Sequence, residues 1–158
     1  ATGGKWQGKT LPALTFFWHD GGLMPPRPEA IPADYKLGEG DNGTLMIGEK
    51  GYLTCGCYGG DPRLLPEKNF ADYKRPDEYI PRVGNSYTDW ITAIKGGPKP
   101  CSNFDYSGPF TEMVCLGNVA MRAGSKISYD IKNMKITNNE DANKFLQREY
   151  REGWKVSL

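Results

Sequence analysis

The sequence predicts an α+β fold, a largely antiparallel open sheet with helices packed on one face. Three observations carry this reading. A hairpin pattern occupies Gly43 to Gly60, GTLMIGEKGYLTCGCYGG. Strands and helices follow one another without regular β-α alternation, which argues against a parallel sheet. A helix expected between Pro109 and Gly124 is apolar over most of its circumference, the mark of a helix buried on several sides.

Taken in order, residues 11–19 (LPALTFFWH) are aromatic-rich and read as a strand. Leu14, Phe16 and Trp18 fall on one face, and Thr15, Phe17 and His19 on the other. Gly21-Gly22 ends it, and Pro25, Pro26 and Pro28 force an extended, irregular path. Residues 29–42 read as a loop. Strands 44–48 and 52–58 meet through Glu49-Lys50, flanked by glycines. Residues 59–84 form a long segment rich in proline and charge, of the kind that is often functional or covers another surface.

Asn85 or Ser86 can cap a helix to about Lys95, with Tyr87, Trp90, Ile91 and Ile94 on one face. Gly96-Gly97 and Pro98 stop it. Pro109 suits the first turn of the second helix, which ends at Gly124. In it Phe110, Met113, Val114, Leu116, Val119, Ala120 and Met121 leave only a narrow polar strip. A strand pair is expected at about 125–129 and 132–137, and a last helix from Asn139 to Gly153. Ala142, Phe145, Leu146 and Tyr150 form its stripe.

Composition narrows the function. The 158 residues suffice for a domain with a core, and 38% hydrophobic with 25% charged residues fits a globular chain. The net charge is +1, with Lys and Arg scattered, so there is no electrostatic footprint for nucleic acid. No apolar run reaches the about 20 residues that span a bilayer. The start, ATGGKWQGK, has no apolar signal region and no initiating Met, as in a chain processed or cut from something longer. Cys55 and Cys57 on one strand face lie about 6.5–7 Å apart, too far for an easy bridge. With Cys101 and Cys115 they lack the CxxC spacing of a zinc site and read as plain thiols. No metal site is expected.

GEGDNG, Gly38 to Gly43, matches the dinucleotide pattern but follows a loop, contains two acids and leads into a strand. Phosphate needs the amides of a helix start, so this is a turn. His19, the one histidine, could pair with Asp20, but neighbours on a strand face opposite ways. The preferred reading is a strand-end His19, with Asp20 bonding the turn amides before Gly21-Gly22. A substrate hydrogen-bonding role for His19 survives. No spacing supports a Ser or Cys nucleophile with His19 as base, and no carboxylate pair stands out. Trp6, Phe16, Phe17, Trp18, Tyr58, Tyr73 and Tyr79 could stack on sugars, although such residues more often serve a core or interface. Asn42-Gly43-Thr44 is a glycosylation sequon that often occurs by chance.

Five stretches in order carry a resemblance: WHDGGLMPPRPE, IGEKGYLTCGCYGGDPRLLPE, IPRVGNSYTDWITAIKGG, PCSNFDYSGPFTEMVCLGNVAMRAG and NNEDANKFLQREYREGW. Together they resemble the C-terminal part of Gfo/Idh/MocA-type oxidoreductases, in the bacterial subgroup with a specialised C-terminal domain. The likeness covers nearly the whole chain after about residue 10. It implies a two-domain parent enzyme, in which an N-terminal Rossmann domain binds NAD(P). The C-terminal α+β domain then offers an open sheet for oligomerisation and one wall of a sugar pocket. Hydride transfer is implied for the full-length enzyme, with NAD-dependent glycoside cleavage as the other family chemistry.

Several family motifs are missing. The glycine-rich nucleotide loop after an N-terminal strand is absent. The Glu-Lys-Pro lysine motif is unmatched, since Asn69 follows Glu67-Lys68 and Pro98 precedes Lys99-Pro100. Thr15 stands where the family's D-x-x-x-H would need an acid before His19. The chain therefore reads as one C-terminal substrate and oligomerisation domain over residues 1–158, a fragment of a longer enzyme. No catalytic or cofactor residue of its own is expected. Its partners would be its own Rossmann domain, further copies of itself and a sugar-type small molecule, in a bacterial cytoplasm or periplasm. His19, Arg63, Asn103 and Tyr106 are the candidate substrate-binding residues, polar groups at strand ends or flanking helix starts. The alternative is a stand-alone carbohydrate-binding or protein-interaction module built on the first strand's aromatics.

Overall fold

The computed structural model describes residues 5–6 and 8–154, with Lys5 and Trp6 described by backbone only. Most of the ATGGKWQGK stretch and the sugar-stacking reading of Trp6 lie outside the described residues. The chain folds as two compact units, Ala1–Asp77 and Glu78–Leu158. Among the described residues all strand pairing is antiparallel and the helices follow the larger sheet in sequence, so the fold is α+β. Among the described residues the strands form three small sheets of two, three and two strands.

In the first unit, β1 (Lys5–Trp6) pairs with β2 (Lys9–Thr10). Residues 11–19, expected as a strand, carry no assigned ladder. Large aromatic or apolar side chains stand on both of its faces, so alternation does not single out a buried one. Phe16, Phe17 and Trp18 are all exposed. The two-residue period still shows, for the Phe16 and Trp18 rings meet at 6.2 Å.

The hairpin forms around Glu49-Lys50 as read, but its second strand, expected over 52–58, ends at Cys55. β3 (Thr44–Gly48) and β4 (Gly51–Cys55) pair from Gly48↔Gly51 to Thr44↔Cys55 around Glu49-Lys50. The long segment after it contributes a third strand that the sequence reading lacked, β5 (Arg63–Leu65), and then a 3-10 turn, Glu67–Phe70. Gly51 makes this layering possible. Its φ is +151°, and a Cβ there would meet Leu65 O at 2.6 Å and the Phe70 ring at 2.8 Å. Among the described residues of this unit the buried apolar ones are Ile31, Cys55 and Leu65.

Thr54, fully buried, joins the hairpin to the GEGDNG turn. Its Oγ1 accepts from Gly38 N at 2.8 Å and donates to Thr44 O at 3.1 Å. A buried hydroxyl with both bonds made escapes the cost of desolvation.

The second unit begins with α1 (Ser86–Ile94), capped by Asn85, whose Oδ1 accepts from Thr88 N at 2.9 Å. α2 runs Phe104–Ala123, starting five residues before the expected Pro109. Pro109 thus sits in the second turn, where its missing N–H costs one intrahelical bond. Gly124 closes the helix at φ +61°, the left-handed cap its position suggested. The expectation of burial on several sides fails, because Val119 is the one α2 residue that is buried. Val119 packs with Ile136 and Ala142, joined by Ala123, Ile127, Tyr129, Phe145 and Leu146. That cluster is too small to cover a 20-residue helix all round.

The expected strand pair forms in shorter versions, β6 (Tyr129–Asp130) and β7 (Lys135–Ile136). Asp130 organises their turn, accepting from Lys132 N at 3.0 Å and Asn133 N at 3.2 Å. The expected last helix is reduced to a 3-10 segment, Glu140–Phe145. Its cap is Asn139, as read, and Ala142, Phe145 and Leu146 do reach the core. Asn143 lies within the shortened segment, its side chain bonded to backbone. Its Oδ1 accepts from Ile136 N at 2.8 Å, and its Nδ2 donates to Ile136 O at 3.0 Å and Glu140 O at 3.1 Å. A side chain bonded to backbone in this way competes with the α-helical ladder.

Candidate functional site

The residues preceding α2 form a braced loop. Cys101 N donates to Asp89 Oδ2 at 2.8 Å, tying the loop to α1. Ser107 Oγ donates to Ser102 O at 3.0 Å. Asn103 occupies the cap position, but its side chain does not cap; Nδ2 donates instead to Pro100 O at 2.8 Å. Its backbone carbonyl accepts from Tyr106 N at 3.1 Å and Ser107 N at 2.8 Å. Asp105 pairs with Lys99, whose hydrogen bond and charge hold the carboxyl below the usual range. Both groups are solvent-exposed, and such a pair adds little stability.

On this base stand two rings. Tyr106 and Phe110, one helical turn apart, lie parallel within 3° at a centroid spacing of 6.4 Å. They are 66% and 52% exposed. Two large rings stacked parallel and open to water, near the half-buried Asn103, offer exposed aromatic surface with a polar group close by. Such a surface suits a ligand with one apolar face and hydroxyls at its edge. Sequence reading named Asn103 and Tyr106 but assigned Phe110 to the core. The i, i+4 spacing could have joined it to Tyr106, had the helix been started before Pro109.

The other two candidates lie in the first unit. His19 is exposed on the segment at 11–19. Asp20 Oδ1 accepts from Gly21 N at 2.7 Å, and Leu23 N donates to Asp20 O at 3.1 Å, so Asp20 holds the turn rather than His19. Arg63 is largely spent on its own chain. It donates to Lys36 O and Gly38 O, both at 2.8 Å, and its guanidinium lies 5.4 Å from the Tyr35 ring centroid. Its Nε sits 3.1 Å from Asp61 Oδ2, but the alignment is not that of a hydrogen bond. Tyr35 OH donates to Glu67 Oε1 at 2.9 Å; partial burial first, and then this bond, raise its phenol above the ordinary value.

GEGDNG does not fit a dinucleotide. Glu39 N donates to Asn42 O at 2.8 Å, closing a turn that runs into β3. The Glu39 carboxylate accepts from Cys57 Sγ at 3.4 Å and would face any phosphate placed there. All four cysteines are free, Cys55 buried and the others exposed. Among the described residues no group of three or more His, Cys, Asp or Glu could hold a metal ion, and no helix is long and apolar enough to cross a membrane.

No curated protein and no solved structure matches the chain. The sequence model of the "Oxidoreductase family, C-terminal alpha/beta domain" matches residues 67–156, more than half of the chain and the whole stretch bearing α1 and α2. The chain thus belongs to the Gfo/Idh/MocA oxidoreductase family, with the family's C-terminal domain at residues 67–156.

Proposed function

We propose that this chain is the substrate-binding and assembly portion of an NAD(P)-dependent sugar oxidoreductase. The observation that carries the reading is the Tyr106–Phe110 platform beside Asn103, inside the matched region. A pyranose ring presents an apolar C–H face that the rings would take, while Asn103 would meet a hydroxyl at the edge. His19, exposed, is available as a further hydroxyl partner. Arg63 contributes by fixing the loop at Lys36–Gly38 rather than by direct contact. NAD(P), when bound in the full-length enzyme, supplies hydride chemistry; it would be held by a Rossmann domain and not by GEGDNG.

Assembly is supported by α1, which leaves Tyr87, Trp90, Ile91 and Ile94 between 49% and 79% exposed on one face. An apolar stripe of this kind marks an interaction surface. Light scattering on the purified chain is expected to give a dimer or larger, and Trp90→Asp to shift it to monomer. A monomer at all concentrations would remove assembly from the proposal.

The substrate reading is tested by titrating monosaccharides while following amide resonances of residues 100–110. Saturable shifts there are expected, and Tyr106→Ala or Phe110→Ala should weaken binding by about 1 kcal/mol, roughly fivefold in Kd. Saturable NAD binding by the same chain would contradict the assignment of the cofactor to a separate domain. A second reading, a stand-alone carbohydrate-binding module, is favoured by the exposed Phe16, Phe17 and Trp18. Sugar binding lost in Phe17→Ala and Trp18→Ala but kept in Tyr106→Ala would establish it instead.

A further inference from the structure

The end of α2 and the 3-10 segment Glu140–Phe145 enclose an open depression of about 250 Å³, lined by Arg122, Asn139, Asp141, Lys144 and Phe145 with two alanines. Two cations converge on one ring inside it. The Arg122 guanidinium lies 4.8 Å from the Phe145 ring centroid, and the Lys144 ammonium 5.2 Å from it. Among the described residues neither forms an ion pair within 4.0 Å, although four other cations of the chain do. Both side chains are solvent-exposed, and the aromatic ring attracts each cation, leaving their N–H groups free to meet an anion.

We propose that this depression binds an oxyanion, the carboxylate or phosphate of a small molecule, between Arg122 and Lys144. The planar guanidinium donates two parallel N–H bonds to such a group, and the ammonium adds a third from the side. Both head groups are already drawn over Phe145, so less side-chain freedom is lost on binding than for two free surface cations. Asn139 is occupied, since its Oδ1 accepts from Ala142 N at 3.3 Å and its Nδ2 donates to Ser125 Oγ at 3.2 Å. It therefore shapes the wall. Asp141 sets selectivity. Its charge opposes a bare anion and favours a ligand carrying a hydroxyl or ammonium group next to the oxyanion. The site stands apart from the Tyr106–Phe110 platform and does not depend on the sugar reading.

The test is titration of the 158-residue chain with inorganic phosphate, and separately with acetate, at constant ionic strength set with sodium chloride. Amide resonances of residues 121–124 and 139–145 report occupancy. Saturable shifts confined to these residues are expected. Saturation by acetate assigns a carboxylate ligand, and saturation by phosphate alone assigns a phosphate. Arg122→Gln should weaken binding by roughly tenfold and Lys144→Gln by several-fold, the loss of a charge-assisted bond. Asp141→Asn should tighten it. Unchanged Ile136 and Val119 resonances show that the variants stay folded. Shifts that rise linearly, that chloride reproduces, or that survive Arg122→Gln overturn the proposal.

Discussion

At Thr54 a single hydroxyl serves two backbone groups, Gly38 N and Thr44 O. Thr54→Val keeps the shape and strands both partners in a buried site. It should cost about 1–3 kcal/mol, read as a lower urea midpoint with unchanged slope. Tyr129 offers a pH signature. Partial burial, and next its 2.7 Å bond to Glu112, push its phenol up to about 12. Since the folded value lies above the unfolded one, the associated stability is complete below about pH 10 and is lost as pH rises toward about 12. A phenolate absorbance titration, taken as wild type minus Tyr129→Phe, should show this late ionisation, and Glu112→Gln should bring it down toward the ordinary value. An ionisation at the ordinary tyrosine value in the wild type would contradict the bond. Neither residue was legible in the sequence, because each acts through a partner distant along the chain, Gly38 for Thr54 and Glu112 for Tyr129.

Elements were legible where local chemistry decides them. The Glu49-Lys50 hairpin, the Asn85 cap and the Gly124 stop are set by residues within one turn of the feature, and all three stand as read. The strand at 11–19 and the helix beyond Phe145 were not, since each depends on what lies opposite. Within the shortened last helix lies Asn143, whose side chain binds β7. Asn143→Ala leaves Ile136 N without its acceptor and should destabilise the second unit by about 1–3 kcal/mol. Hydrogen exchange checks it, with faster exchange expected at Ile136 and no change in β3–β4. Equal acceleration in both places would show that Asn143 has no local role. Of the candidate site, Asn103 and Tyr106 were found by their place before a helix, while Phe110 was hidden by a helix start placed five residues late.

At the scale of the whole chain, residues 67–156 were legible through their resemblance more than through their periodicity. The likeness was read over almost the full length, and the family's domain covers residues 67–156. Two compact units meet in sequence at Asp77–Glu78, within a run of exposed residues from Ala71 to Val83. Proline-rich exposed backbone at a unit boundary is where proteases cut first. Brief trypsin treatment should therefore cleave after Lys74 or Arg82 before other sites, Arg75 being shielded by Pro76, leaving two fragments visible by mass spectrometry. First cleavage at Arg122 or Lys144 instead would mean that the second unit opens more readily than the connection.

The exposure of Trp90 on α1 has an optical side. An indole already in water emits at long wavelength whether the chain is folded or not, so unfolding barely changes its colour. Covering that helix face would move the emission to the blue. Trp90 fluorescence therefore separates two events that most proteins report together, staying silent when the unit folds and answering when something docks.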